Sequence, residues 1–441
     1  MTTTAQPDAP LQSKRVNVES LTDGQRLIAP VYDDAGVLLL AAGSIITPSI
    51  KAKLQARNIT FVILSGADVA AMRLGDLRSE IVAPKSLFDS SHTERLGSII
   101  KAGNLFVANS GPAVKDRLVL HGCKAYDPKL REKILERHQE ASEKLDEMFG
   151  RALHGEKIDS RQLATYVGTY VGALSKDPDS VMAAAAQMSQ DTELSDHCLK
   201  SCVLAMALGI ELDLDDAKLR DLGLCGLLHD WGMIHVPESI RRATHPLTAG
   251  EFMHLQKHPA YTLQMLDGIQ GDPKVVAIAA YQVHERPNGK GYPRRRRHTQ
   301  IHLFARILGV ATTYTALTAP RPYRPALMPY SAMECLIRQS QSGDADAEGV
   351  RALLHVLSLF PIGSFVLLDD GSVAIVMRRS GTNYTSPIVR LTVDSEGNLF
   401  DPNDDSFIID LSTHERRVVQ AVPSPDFDQI SFHEEILTEY Q

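Results

Sequence analysis

LGLCGLLHDWGMIHVPESI, residues Leu222–Ile240, is the stretch on which the reading of the chain turns. Its first seven residues are apolar or glycine, which fits a helix segment buried on all sides. The run closes on His229-Asp230. A charged pair ending a buried run must be paired or hold a metal, because an isolated buried charge is too costly. An Asp can bridge two ions with its two oxygens while the preceding His binds one of them. The dipeptide alone arises often by chance, so its neighbours decide.

The chain has 16 His. Nine lie between 197 and 302, where even scatter would put about four: His197, His229, His235, His245, His254, His258, His284, His298 and His302. Clustered neutral imidazole near carboxylates suits Fe, Mn, Zn or Ni. A second segment is more specific: VHERPNGKGYP, residues Val283–Pro293. Its glycines allow close backbone approach, and Tyr292 and Lys290 can meet a base or a phosphate. The plain alternative is a Gly/Pro turn between two helices.

Length and composition bound the rest. At about 100–200 residues per domain, 441 residues imply two to four domains. The 44% apolar content is too high for a disordered chain. A net charge of −8 argues against a globally basic nucleic-acid binder, so no DNA partner is expected. No apolar run approaches the roughly 18 residues of a membrane helix, and the polar start lacks a secretory core. A cytoplasmic protein without membrane contact is expected. Five Cys at irregular spacing exclude a disulfide scaffold.

The expected fold class is multidomain α+β, a central all-α domain flanked by two small units. Residues 1–16 read as a disordered leader. Residues 17–66 read as a small α+β unit, with strands at Leu27–Tyr32, Val37–Leu40 and Thr60–Leu64. Its helix opens at Thr47-Pro48, the Thr as N-cap. Residues 67–127 give no assignable pattern and read as a linker or insertion. From Pro128, Leu130, Ile134, Ala141, Leu145, Met148 and Leu153 form one apolar helical stripe. Helical patterns continue through 128–345. Residues 356–412 read as an antiparallel β-unit with a hairpin at Asp369-Asp370-Gly371, and 413–441 as a polar tail.

Four ordered blocks within about residues 190–340 resemble the HD-GYP family. They are LLHDWGMIHVPESI, Leu247–Leu266 with His258-Pro259, VHERPNGKGYP and ARILGVATTYTALTAPRPYR. The family comprises bacterial cyclic di-GMP phosphodiesterases within the HD hydrolase superfamily. The resemblance implies metal-dependent hydrolysis of cyclic di-GMP, or a related cyclic dinucleotide, to pGpG or GMP in bacterial signalling. Divalent Fe or Mn is the implied cofactor, and signalling proteins are implied partners. Carried over by position, Glu193, His197, His229, Asp230, His258 and His284 would hold metal, with His229 and Asp230 at the catalytic centre. Tyr292, Arg321, Arg324 and Lys290 would hold substrate. Glu193 and His197, four apart, would share one helix face.

Several positions depart from the family pattern. Val283 replaces the first of a paired His, Thr312 the final metal-binding Asp, Thr315 a second Asp, and Met233 a Lys. Asn288 replaces a loop Asp, and Thr262 replaces a Gly. Each metal position then keeps three protein ligands. Lower carboxylate charge should weaken affinity and turnover. Two expectations follow, a phosphodiesterase with weakened or lost turnover and an inactive dinucleotide sensor or interaction module. His235 or His302 is a candidate substitute ligand, against the plainer reading of a surface His. Arg294–Arg297 would steer an anion or form a solvated loop. Cys198, Cys202 and Cys225 read as buried thiols rather than a zinc site, and Trp231 as a guanine platform or a core residue.

Overall fold

The computed structural model describes residues 14–69 and 107–423, apart from residues 22, 34–37, 58, 66–67, 155, 157, 188–193, 267–268, 271–273, 323, 382 and 403. Two compact units divide the chain: residues 1–88 with 247–253, and 89–246 with 254–441.

In the first unit, β1 (Lys14–Asn17), β2 (Val31–Tyr32), β3 (Leu38–Leu40) and β4 (Phe61–Leu64) form an antiparallel sheet in the order β1-β4-β2-β3. Residues 14–16, expected in a disordered leader, instead belong to strand β1, in which Lys14 pairs with Leu64; the rest of that expectation lies outside the described residues. Helix α1 (Pro48–Ala56) starts at Thr47, whose hydroxyl accepts from the Ile50 amide. Val18, Leu27, Val31, Ile46, Val62 and Leu64 form the core. The expected turn at 33–36 lies largely outside the described residues, as does most of 67–127.

The second unit is helical, then β. Its described helices begin with α2 (Pro128–Leu153), α3 (Ser160–Lys176), α4 (Pro178–Gln187), α5 (Leu194–Glu211) and α6 (Asp216–Leu228). They continue with α7 (Glu238–Arg241), α8 (Ala249–Leu255, which begins in the first unit), α9 (His258–Leu266) and α10 (Lys274–Gln282). The last are α11 (Leu303–Thr318), α12 (Pro329–Ser342) and α13 (Ala347–Leu357). Helix α13 carries the helical part past 345, so the β-unit begins later than 356. Two short strands, β5 (Ile158–Asp159) and β6 (Ile269–Gln270), pair in parallel.

Helix α2 buries Ile134, Ala141, Leu145 and Met148, as its stripe predicts, but Leu153 is exposed. Helices α5 and α6 pack so closely that a Cβ on Gly226 would lie 2.5 Å from the Cys202 Cα. Only a glycine fits there. Asp215 caps α6 and also accepts from the Ser110 and Gly111 amides, so part of the supposed linker is docked on the helices.

The C-terminal sheet runs β10-β9-β8-β7-β11, all antiparallel: β7 (Phe365–Leu368), β8 (Val373–Ser380), β9 (Asn383–Val393), β10 (Ile408–Asp410) and β11 (Val418–Val422). Gly371 turns the expected hairpin at φ +85°. Strand β11 lies inside the segment expected to be a polar tail and pairs with β7. Its residues 418–422, VVQAV, follow a polar stretch whose charge masked their strand character.

The sheet is fastened to the helices through Arg378. This side chain is 1% exposed and forms a bidentate pair with Asp177 at 2.7 and 2.9 Å. It also donates to the Lys124 and Ala125 carbonyls and lies over the Tyr126 ring. Tyr126 in turn donates to the Met377 carbonyl.

Candidate metal centre

Helix α6 ends at Leu228 with His229 as its C-cap, Gly226 lets this end lie against α5, and the turn that follows is packed as closely. A Cβ on Gly232 would sit 2.1 Å from the His258 carbonyl oxygen. Thr262 completes this junction: its hydroxyl donates to the His229 carbonyl at 3.1 Å and accepts from the Gly232 amide at 2.9 Å. The departure at Thr262 is thus a structural tie between α9 and the His-Asp turn.

Asp230 stands at the centre. Its Oδ2 faces His229 Nε2 at 3.4 Å and His197 Nε2 at 3.7 Å. Its Oδ1 faces His258 Nε2 and His284 Nε2, both at 3.3 Å. Two three-residue clusters result, His197–His229–Asp230 and Asp230–His258–His284. In each, the ligand atoms lie within 4.8 Å of one another.

The donor set fits divalent metal. His229 Nδ1 is bonded to the Gly226 carbonyl at 2.9 Å, and His258 Nδ1 to the Leu255 carbonyl at 2.8 Å. A carbonyl accepts only from N–H, so both rings carry a proton on Nδ1 and aim Nε2 at the centre, where loss of the Nε2 proton to a bound metal would free the lone pair. That second contact is what holds a metal-ligating imidazole in register. His258 Nε2 and His284 Nε2 stand 2.8 Å apart, as nitrogens converging on one point do.

Burial governs the charge states. It pushes His197 down to about 3 and His284 down to about 4, against the pull of Asp230, so both are neutral donors near pH 7. Burial also works against ionising Asp230. The charge on His229 and hydrogen bonds from His229, His258 and His284 outweigh it and hold the carboxyl well below its usual range.

Thr312 lies on α11 where the departing Asp position was expected. Its hydroxyl contacts His197 Nε2 at 2.9 Å and His229 Nε2 at 3.3 Å. Val283 is 1% exposed and packs into the core. Tyr292 stacks on His284 with ring centroids 4.9 Å apart and planes 10° apart. Lys290 is exposed on the same loop. Arg321 lies near enough to lower the His197 pKa by its charge. Glu193 lies outside the described residues.

Other expectations change. Arg324 is 9% exposed, and its guanidinium donates to the Ala316, Leu317 and Pro325 carbonyls, closing the C-terminus of α11. That commitment removes it from the substrate set. His302 is no surface residue: it is 3% exposed, and its Nδ1 accepts from the Phe304 amide as N-cap of α11. His235 is exposed and stands beside Tyr261, outside both clusters. Trp231 is fully buried, donates to the Leu227 carbonyl and meets Phe149 edge to face, which makes it core. Cys198, Cys202 and Cys225 are buried free thiols, and neither cluster contains a Cys. The Arg294 and Arg296 amides donate to the Glu285 carboxylate, so the arginine loop is braced from within.

The residue pattern missed a buried polar chain. His138 bonds Tyr170 and Asp196, each at 3.0 Å, and Asp196 pairs with Lys200 at 2.8 Å. The only advance signal was a His and an Asp on otherwise apolar helix faces.

This fold and site define an HD domain: residues 169–349 match the HD domain family. That match and the named relatives below support the HD-GYP resemblance of this part of the chain. A cyclic di-GMP phosphodiesterase of Pseudomonas aeruginosa is 30% identical over 245 residues, 55% of this chain and 58% of that protein. A 3'3'-cGAMP-specific phosphodiesterase of Vibrio cholerae is 35% identical over 155 residues, 34% of this chain and 35% of that one. The chain thus spans between a third and three fifths of these relatives. An HDG"Y"P protein from Bdellovibrio bacteriovorus aligns with TM-score 0.39 and 17% identity, over 78% of this chain and 98% of that one. Among the described residues, no helix is long and apolar enough to cross a membrane.

Proposed function

We propose that this chain binds a cyclic dinucleotide at the Asp230 centre and hydrolyses one of its phosphodiester bonds slowly, with Mn or Fe bound. One observation carries the reading: a single buried carboxylate faces two imidazoles with each oxygen. A divalent ion in this setting polarises phosphoryl oxygens and lowers the pKa of water.

The chain's own residues supply the rest. His197, His229 and Asp230 would hold one ion, and Asp230, His258 and His284 the other. Tyr292, stacked on His284, is placed to form one wall for a base. Arg321 and Lys290 offer cations to the phosphates, a role suited to a guanidinium fork and a mobile ammonium. The buried walls exclude water and strengthen each of these contacts. Named relatives act on cyclic di-GMP and on 3'3'-cGAMP, and both substrates are candidates.

A second reading is a dinucleotide receptor without turnover. The Thr312 hydroxyl bonded to both His197 and His229 favours it, because a neutral oxygen replaces an anionic ligand. Measuring metal content and product from both dinucleotides on one purified sample tests the two. Product formed with Mn²⁺ or Fe²⁺ and lost in Asp230→Ala supports the enzyme. Dinucleotide binding without product supports the receptor.

A further inference from the structure

A cavity of about 430 Å³ lies between the helices that carry the metal cluster and the C-terminal sheet. That volume is in the range of small-molecule sites, roughly 300–1,000 Å³. One wall is sheet. Val422 pairs with Phe365 and Phe365 pairs with Ile375, so three apolar side chains form a row across β11, β7 and β8. The facing wall is helix, with Lys200 and Leu204 from α5 and Tyr314 and Thr315 from α11. Polar groups are few. Lys200 is held by Asp196. Ser364, which lines the cavity and is 7% exposed, has a buried hydroxyl with no hydrogen-bond partner among the described residues.

We infer that this cavity is a second ligand site, for a neutral amphipathic organic molecule with an apolar body and one hydroxyl or carbonyl. Mostly apolar walls select the apolar body, and rotation of the buried Ser364 hydroxyl into the cavity would meet the one polar group. An anion is disfavoured because Asp196 already neutralises the Lys200 ammonium. The position of the site gives it a consequence. Lys200 stands one helical turn from His197, and Thr315 one turn from Thr312. Thr315 donates to the Thr312 carbonyl at 3.0 Å, and its hydroxyl meets Ser201 at 2.9 Å. The helix pair that holds His197 against Thr312 is thus the pair that walls the cavity. A molecule that wedges the sheet from these helices changes the metal cluster if it favours one spacing of α5 and α11.

The probe is 2-naphthol, a neutral fluorescent compound of the stated class, titrated into the full chain. We expect saturable one-to-one binding, lost at least tenfold in Ile375→Trp and in Val422→Trp, which fill the cavity from the sheet side. Val422 lies at the rim, so at least this variant should keep the wild-type circular dichroism. Binding that is unsaturable, or unchanged in both folded variants, overturns the site. A parallel Mn²⁺ titration by electron paramagnetic resonance reads the coupling. We expect saturating 2-naphthol to change Mn²⁺ affinity by roughly fivefold or more, with the same factor in reverse. Unchanged Mn²⁺ affinity overturns the effector role. If Mn²⁺ does not bind at all, the metal reading fails, while the naphthol titration still decides the cavity.

Discussion

Thr312 carries the difference between this centre and one with a carboxylate at the same place. Its hydroxyl satisfies two imidazoles at once and adds no charge. Thr312→Asp should therefore tighten binding of the ion at the His197–His229 cluster by about tenfold or more, because affinity follows ligand charge. Competitive Mn²⁺ titration checks it, and unchanged affinity would show that the threonine is no handicap. Asp230→Ala should empty both clusters, since one carboxylate serves both; elemental analysis of dialysed protein reads that directly. His229, Asp230, His258 and His284 were legible because each sits in a short motif with a recognisable neighbour. Arg324 was not, because a guanidinium that closes a helix and one that binds a phosphate look the same in a sequence. His302 misleads similarly: a capping imidazole leaves no periodic trace.

At the scale of elements, the site depends on how closely α5 and α6 approach. Gly226→Ala places a methyl group against the Cys202 backbone, which cannot yield as a side chain would. The expected cost is about 1–3 kcal/mol, the usual range for overpacking. His229 moves with the helix end, so Mn²⁺ affinity should fall as well. A variant that unfolds earlier yet binds Mn²⁺ normally would uncouple the two. The start of α6 gives a pH prediction. Burial raises the Asp215 pKa, but bonds from the Lys218 amide, from the Ser110 amide and hydroxyl and from the Gly111 amide prevail and hold it at about 2. The ordinary unfolded value is about 3.9. This depressed pKa means the stabilisation is complete above about pH 4 and is lost as pH falls towards 2. Asp215→Asn should flatten the stability profile across that window in denaturant titrations. Helices with long stripes, such as α2, were readable from spacing. Strand β11 and the docked stretch at 110–118 were not, because their partners lie at least 50 residues away in sequence.

For the second unit as a whole, Arg378 decides whether helices and sheet act as one body. Arg378→Ala leaves Asp177 buried without its main partner, while Asp179 keeps Arg379 at 3.4 Å. A loss of about 3–5 kcal/mol is expected, the range for breaking a buried pair from one side. Arg378→Met with Asp177→Asn should recover part of it, because the stranded charge is gone; chemical denaturation of the three variants would show the order. Nothing in the local pattern around Arg378 announced this role. It is the first of two adjacent arginines after a β-branched run, and its partners lie about 200 and 250 residues earlier.

That separation has a consequence for how the protein is made. A ribosome releases Lys124, Ala125 and Asp177 long before it releases Arg378. During that interval the helices must carry two buried aspartates without their counter-charge, and the cavity wall has no sheet behind it. Nascent chains stalled before residue 378 should be readily cut by protease within the helical part, and chains stalled well beyond Val422 should resist. The metal ligands are all synthesised by His284, so ions could join the centre before the unit is locked.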